Sequence, residues 1–591
     1  YSRDYLRVTE TASTEHHGGT PSGEHQTAPR AHLSAATTAP QAHGSAHAPV
    51  PERGYERYFA FIGLFVFSMC VLVLAGNFLL LYLGWEAVGL CSYLLIGFYY
   101  QRPSAAAAAK KAFLVNRIGD FGFGLGILFL YLWLAPLADG RNPLDYAVAF
   151  ELVGRLEEWQ VTTIALLLFC GAVGKSAQLP LYVWLPDAME GPSPVSALIH
   201  AATMVTAGVY MVVRCGPIFT LSEIAPSVVA AVGAVTALYA ATIAVAQYDM
   251  KRILAYSTIS QLGYMFLGVG VLAADSAIFH LFTHAFFKAL LFLAAGSVMH
   301  ALGGIIDVRQ FGGLRRLLPV TCATFVVGSL ALAGFPLLAG FFSKDEIIHA
   351  AFGRHWVLGA IGLVTAVLTA FYTFRMVFLA FSGPPRVPAG AHPHESGGWM
   401  LAPLVVLAIG AVGAGYAGVR FGHGGFLGLF APHGAFHRFL EPVVEPYRSA
   451  KLLSAGPEAA GGHESPLLMY VSAGLAVAGI LAAYLLYARR RDLAEAVRRA
   501  LPEAHDLLHH KYYVDELNDA VVVRPLWETG RLFYGVDRIV VDGLVWAVSA
   551  VPRAVGFLIR PLANGAIQSY GVTMTAGLFL MVLIVWLVGK G

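Results

Sequence analysis

Charge is scarce in this chain: Asp, Glu, Lys and Arg make up 13% of its 591 residues, whereas a soluble domain carries roughly 25%. With 57% hydrophobic residues, that deficit excludes an ordinary water-facing surface and leaves the lipid bilayer as the solvent. Cysteine is sparse as well. Cys70, Cys91, Cys170, Cys215 and Cys322 stand singly in or beside apolar runs. No C-x-x-C pair offers a zinc or iron–sulfur site, so no redox centre, bound cofactor or metal is expected in this chain. A concentrated basic patch is also missing: the net charge is +3 and the basic residues fall in short clusters, which argues against a nucleic-acid partner. The run holding Gly122, Gly124 and Gly126 follows no strand and reads as a helix-packing surface, not a nucleotide loop.

Long apolar runs are abundant. Stretches of about 20 residues, enough to cross a ~30 Å hydrocarbon core, recur from residue 57 onward, and spans are expected near 57–76, 78–99, 112–134, 160–180, 194–213, 227–247, 252–272, 276–298, 318–338, 340–380 (a half-helix and a full span), 399–419, 467–487 and 571–588. The fold class is therefore an all-α polytopic membrane protein. Alternate loops carry the positive charge: Arg102, Lys110 and Lys111; Lys251 and Arg252; Arg309, Arg315 and Arg316; Arg375 and Arg386; Arg489, Arg490, Arg491, Arg498 and Arg499. The positive-inside rule places these loops in the cytoplasm. Loops such as 135–160, with Asp139, Asp145, Glu157 and Glu158, belong on the other face.

Two segments break the pattern. Residues 1–54 are dominated from Thr9 to Pro51 by Ala, His, Pro, Thr, Ser and Gly and read as low-complexity and disordered. Their histidines (His16, His17, His25, His32, His43 and His47) are too irregularly spaced for a designed metal site. The sequence opens on Tyr1 without a signal-peptide pattern, which admits a fragment as one reading. Residues 511–570 are amphipathic and suit a helix lying along a surface. Pro525, Gly530, Pro552 and Pro561 are expected to kink or break it. The division expected is thus 1–54, a core at 55–381, further spans and loops at 382–510, the amphipathic segment at 511–570, and a final anchoring span at 571–591.

A charge at the centre of an apolar helix costs ~2.5–3.5 kcal/mol on insertion scales, so each one needs a reason. Glu86 sits mid-span in Asn77-Phe-Leu-Leu-Leu-Tyr-Leu-Gly-Trp-Glu86. Lys175 precedes Pro180, which removes a backbone donor and is expected to strand the carbonyl of Ser176 in a broken helix. Lys344 follows Pro336 in a second such break, the reversed order that an inverted repeat would produce. Lysines at such depth exchange protons readily. Asp345 and Glu346 beside Lys344 belong either to the same path or to the interface. His280, His284 and Lys288 recur at i, i+4 and i+8 on one helical face, ~6 Å apart along the axis, which suits a proton relay. A metal pair is the weaker reading because no third ligand has recognisable spacing. His200, alone on an apolar helix, reads by itself as a packing histidine. Lys251 is open between a site residue and an anchor paired with Asp249, and Arg117 with Asp120 reads as a structural ion pair.

Five strings carry a family resemblance: Gly84-Trp-Glu-Ala-Val-Gly-Leu-Cys-Ser-Tyr-Leu-Leu-Ile-Gly-Phe98, Gly174-Lys-Ser-Ala-Gln-Leu-Pro180, Pro194-Val-Ser-Ala-Leu-Ile-His-Ala-Ala-Thr-Met-Val205, Asp249-Met-Lys-Arg-Ile-Leu-Ala-Tyr-Ser257 and His284-Ala-Phe-Phe-Lys-Ala-Leu290. The chain resembles the L-type antiporter-like subunits of bacterial respiratory complex I (NADH:quinone oxidoreductase) and their relatives in Mrp cation/proton antiporters, closely over 57–381 and more loosely beyond. The resemblance implies an antiporter-like fold in the bacterial inner membrane that moves protons while quinone is reduced elsewhere in the complex. Glu86 and Lys175 would pair in one half-channel, His200, His280 and His284 would form the central relay, and Lys344 would be the terminal exchanging lysine. NADH, FMN, iron–sulfur clusters and quinone would belong to other subunits. Lys511-Tyr-Tyr-Val-Asp-Glu-Leu517 would open a lateral helix along neighbouring antiporter-like subunits. An Mrp-like antiporter subunit or an inorganic-carbon uptake pump subunit is the alternative. Family members carry three further spans ahead of residue 57, so this chain reads as a fragment or as a reduced protein.

Overall fold

A computed structural model describes residues 1–8, 50–51, 54–388, 391, 393–426, 430–432, 434–455, 466–563 and 565–590. Most of the low-complexity segment, with all six of its histidines, lies outside these residues. The chain divides into two compact units, Tyr1–Tyr512 and Tyr513–Gly591. Among the described residues eleven helices are long and apolar enough to cross a membrane.

The first unit is built around the helix Met250–Gly270, in which every residue but Arg252 is buried. Asp249 caps it by accepting from the backbone of Arg252 at 2.9 Å, as Asn77 caps Phe78–Ile96 by accepting from Leu80 at 2.7 Å. Each cap satisfies an amide that lipid cannot. Against this central helix lies Ala225–Ala246, at backbone contact. A Cβ on Gly263 would stand 2.6 Å from the Gly233 carbonyl oxygen and 2.7 Å from the Ala237 nitrogen. Small residues at such crossings replace the hydrophobic drive that is absent in lipid.

The basic loops gather on one face. Lys111 pairs with Asp187 at 2.6 Å, the Asp249 and Asp307 backbones bridge, and so do those of Gly312 and Arg386. The Asn77–Asp145 bridge and the bond from the Tyr447 hydroxyl to the Val212 carbonyl at 2.7 Å lie at the opposite helix ends. Arg375 is a correction to the loop reading. It lies inside the helix Trp356–Phe381, is buried, and donates to the Gln247 carbonyl at 2.6 Å while covering Tyr248 and Tyr487.

Three membrane helices are broken, where two were expected. Glu158–Lys175 stops at Lys175, short of the expected residue 180. Pro319–Ala333 ends at Gly334 (φ 76°) and the chain resumes at Ala339–Arg354. The third break falls within the expected 194–213 span: Ser193–Ala201 is separated from Ala207–Arg214 by an irregular Thr203 and a single 3₁₀ turn. No proline marks it, which is why the apolar pattern reads as continuous. Thr203 and Thr206 hydroxyls satisfy the Leu198 and Thr203 carbonyls at 2.6 and 2.9 Å. Two short antiparallel strand pairs, Arg7–Val8 with Val50–Pro51 and Val419–Phe426 with Phe430–Pro432, qualify the all-helical expectation.

Within the second unit, Val514–Ile559 is helical throughout, about 70 Å at 1.5 Å per residue. Pro525 and Pro552, expected to kink or break it, lie within the helical run without ending it. A wide turn at Asp519–Val523 precedes Pro525, and such π turns relieve the clash of the ring with the preceding carbonyl. Pro552 sits inside Asp542–Ile559. The break comes at Pro561, in the turn Arg560–Leu562 before the apolar helix Ile567–Val588.

The glycine crossing yields a first prediction. Gly263→Leu should force the central helices apart at a cost of about 1–3 kcal/mol or more. Less folded chain should then be recovered from membranes in monodisperse form, whereas Gly474→Leu, where a Cβ meets nothing within 4 Å, should be tolerated.

Candidate functional site

Lys175 ends its helix at bilayer depth, where its charge faces the negative end of the helix dipole. Carbonyls freed by the break find donors nearby: Val173 accepts from the Gln178 backbone at 2.9 Å, Gly174 from the Trp184 indole at 3.0 Å, and Ser176 from the Gln178 amide at 2.9 Å. The Ser176 carbonyl is therefore not stranded. Lys175 turns instead to Asp120, 3.3 Å away, and both side chains are almost wholly buried. Asp120 also accepts from the Trp85 indole at 2.7 Å. A Cβ on Gly89 would stand 2.5 Å from the Lys175 ammonium nitrogen, so glycine there makes the room.

This geometry corrects two expectations. Arg117 does not pair with Asp120, and Glu86 does not pair with Lys175; Arg117 pairs with Glu86 and Asp120 with Lys175. The helix Pro103–Leu134 turns Asp120 inward against the Lys175 helix. Arg117 projects outward over the Phe113 ring, 44% exposed, and meets Glu86 on the neighbouring helix. Glu86 lies about one helical turn before Gly89, beside the Lys175 pocket.

Polar groups continue from there through the middle of the unit. His200, at the end of Ser193–Ala201, is buried beside Phe292, and neither ring nitrogen has a hydrogen-bond partner among the described residues. The break after it exposes the Ala201 carbonyl, which lies 2.9 Å from His284 Nδ1. The His284 and His280 rings are 6.2 Å apart, a spacing that one water could bridge. His280 contacts the Ser343 hydroxyl at 2.9 Å and the Gln261 carbonyl oxygen at 3.2 Å. Ser343 also bonds Thr283 at 2.8 Å. Lys288 bonds the Ser257 hydroxyl and donates to the Leu254 carbonyl at 3.2 Å. Lys251 is buried rather than interfacial and donates to the Met189 and Gly191 carbonyls at 2.5 and 2.8 Å. Arg252, not Lys251, is the partner of Asp249, at 3.9 Å.

Lys344, adjacent to Ser343, reaches the second break and donates to the Leu332 carbonyl at 2.8 Å, with the Tyr264 ring 5.6 Å away. Pro336 lies in the gap between the two helical pieces, next to Leu337 at φ 70°. Asp345 bonds Ser472, and Glu346 pairs with His437 at 3.0 Å. Among the described residues no three His, Cys, Asp or Glu side chains gather as a metal set. Gln261, Ser343, Trp85 and His437 were not singled out by the sequence. An amide and hydroxyls among buried apolar positions of Met250–Gly270 were the available signal for Gln261.

The profile of the NADH:quinone oxidoreductase/Mrp antiporter transmembrane family matches residues 75–369. NADH-quinone oxidoreductase subunit L of Neisseria meningitidis is 40% identical over 89% of this chain and 82% of its own length; that of Mycobacterium tuberculosis is 42% identical over 90% and 80%. The chain belongs to the family of NADH-quinone oxidoreductase L subunits. Another relative, the F(420)H(2) dehydrogenase subunit L of Methanosarcina mazei, is 41% identical over 91% of this chain and 83% of that one. Among solved structures, the Mrp complex from Dietzia sp. is similar with a TM-score of 0.63 and 26% identity, over 85% of this chain and about half (51%) of that chain. A multi-pass position in the bacterial inner membrane follows for this L-family chain from its relatives and its spans.

The buried pair generates a second prediction. Asp120→Asn leaves an ammonium without its counter-charge, a loss of ~3–5 kcal/mol for as long as the lysine stays protonated. Arg117→Ala breaks a partly exposed pair worth about 0–1 kcal/mol. Thermal unfolding of the detergent-extracted complex should therefore fall markedly for the first variant and barely for the second.

Proposed function

We propose that this chain is a proton-translocating membrane-arm subunit of an NADH:quinone oxidoreductase, coupled to quinone reduction in other subunits that hold NADH, FMN and the iron–sulfur clusters. What carries the reading is a buried line of exchangeable groups between two helix breaks, from Asp120–Lys175 by way of His200, His284 and His280 to Ser343 and Lys344. Each charge on that line would be costly without a role.

In this account Glu86 with Arg117 biases the Asp120–Lys175 pair. When the pair opens, the ammonium passes its proton by way of water to His200 and becomes a neutral amine. The two histidines then hand it on to Lys344, with Ser343 orienting the His280 ring. Lys288 and Lys251 connect this axis to the face carrying the basic loops. An imidazole can accept a proton at one ring nitrogen and donate one from the other, which suits the middle of such a line. Residues 55–381 would form the translocating core and 382–510 additional spans, while 511–570 would lie along neighbouring antiporter-like subunits and 571–591 would anchor the tail.

The Mrp-like reading, which the similarity to the Dietzia structure also fits, shares the relay and differs in its partners. Native-gel separation of the extracted protein with an in-gel NADH-oxidation stain distinguishes the two. Co-migration with the stained assembly is expected; migration apart from it would favour the antiporter. Within the assembly, Lys175→Ala and Lys344→Ala should lose most proton pumping per NADH oxidised while insertion persists, because removing a buried charge eases insertion. Full pumping in both variants, measured by dye quenching in inverted vesicles, would refute the relay.

A further inference from the structure

Lys344 ends the line of exchangeable groups, yet a proton that reaches it must still leave. Beside it the way out is dry: Phe279, Phe341, Phe342, Val419 and Ala473 form an apolar cluster. Two polar contacts leave the same half-helix. Asp345 accepts from the Ser472 hydroxyl, whose other contact is the Met469 carbonyl at 3.1 Å; neither contact adds a group that titrates. Glu346 bonds His437 Nε2 at 3.0 Å, and their side chains are 11% and 2% exposed. Asp275 and Ser276, in the first turn of Ala274–Ala301, face the same carboxylate.

The position of this pair is informative. His437 belongs to the helix Ala435–Ala455, which Tyr447 ties to Val212. That bond lies at the helix ends away from the basic loops. Glu346 begins two residues after Lys344 and points to that helix, whereas Lys344 points back to the break at Leu332. The His437 ring rests 5.3 Å from Phe279, which flanks it with apolar surface. A carboxylate held on a buried imidazole, between the last lysine and the far face, has the chemistry of a proton release station.

We propose that Glu346 and His437 together form the exit of the proton path: Glu346 takes the proton given up by Lys344, and His437 passes it to the face opposite the basic loops. The step balances as a proton transfer alone. The ammonium becomes an amine, the carboxylate becomes the acid and then returns to carboxylate, and the imidazole is protonated and then released. This rests on the relay function proposed above. Glu346 returns to carboxylate as the bonded His437 imidazole takes its proton, and the imidazolium then gives that proton up on the outer side.

The test uses the whole membrane complex in vesicles, with proton pumping normalised to the NADH–ferricyanide activity of assembled complex. Glu346→Gln and His437→Ala are each expected to reduce pumping by about tenfold or more, the scale of a lost proton-transfer group. Glu346→Asp, which keeps the carboxylate, should retain several-fold more than Glu346→Gln. Added imidazole should restore pumping to His437→Ala, which a merely structural histidine would not show. Unchanged pumping in both variants while Lys344→Ala is inactive would overturn the exit and leave the relay standing. Loss that neither Asp nor imidazole rescues would overturn it too. Unchanged pumping in Lys344→Ala would instead refute the relay itself.

Discussion

Everything in the first unit turns on the expense of holding charge where water is scarce. A buried ammonium survives only with a carboxylate or several carbonyls in reach, and the fold supplies them in two ways. Asp120 from a neighbouring helix answers Lys175. Backbone carbonyls freed at helix breaks answer Lys344 at Leu332 and His284 at Ala201, while Lys251 is held by loop carbonyls at Met189 and Gly191. A broken helix is thus a source of acceptors that lipid cannot provide.

That constraint also explains the packing around the site. The central helix must be enclosed on every side if its polar residues are to be shielded from lipid, and backbone contact at Gly233 and Gly263 brings the neighbouring helix close enough to do it. Arg375 is drawn into the interior for a related reason: Gln247 ends the helix Ala225–Ala246 with a carbonyl that needs a donor.

Much of this was legible in the sequence. Span lengths, the charges at depth and the proline-marked breaks are local features, written in composition and spacing, and they located Lys175, Lys344 and the histidine helix. What the sequence did not disclose were partnerships across helices. Arg117 and Asp120 are three residues apart and look like a pair, but their side chains meet different neighbours, Glu86 and Lys175. The break after His200 was hidden because it uses threonine hydroxyls rather than proline. At Pro525 the distortion takes the form of a wide turn just upstream rather than an end to the helix. His437 carried no signal at all, since its importance comes from a glutamate 91 residues away in the chain.

The central claim is that the buried groups form one continuous proton-conducting line, which must run through water wherever side chains do not touch. His200 and the Nε2 of His284 have no protein partner among the described residues, and buried polar atoms of this kind are ordinarily satisfied by ordered water. The most direct measurement is a high-resolution cryo-electron-microscopy map of the chain in its native complex, read for water between Lys175, His200, His284 and His280. Ordered waters within hydrogen-bonding distance of both histidines, joined into one chain, are the expected result. A dry, apolar gap around His200 would contradict the account.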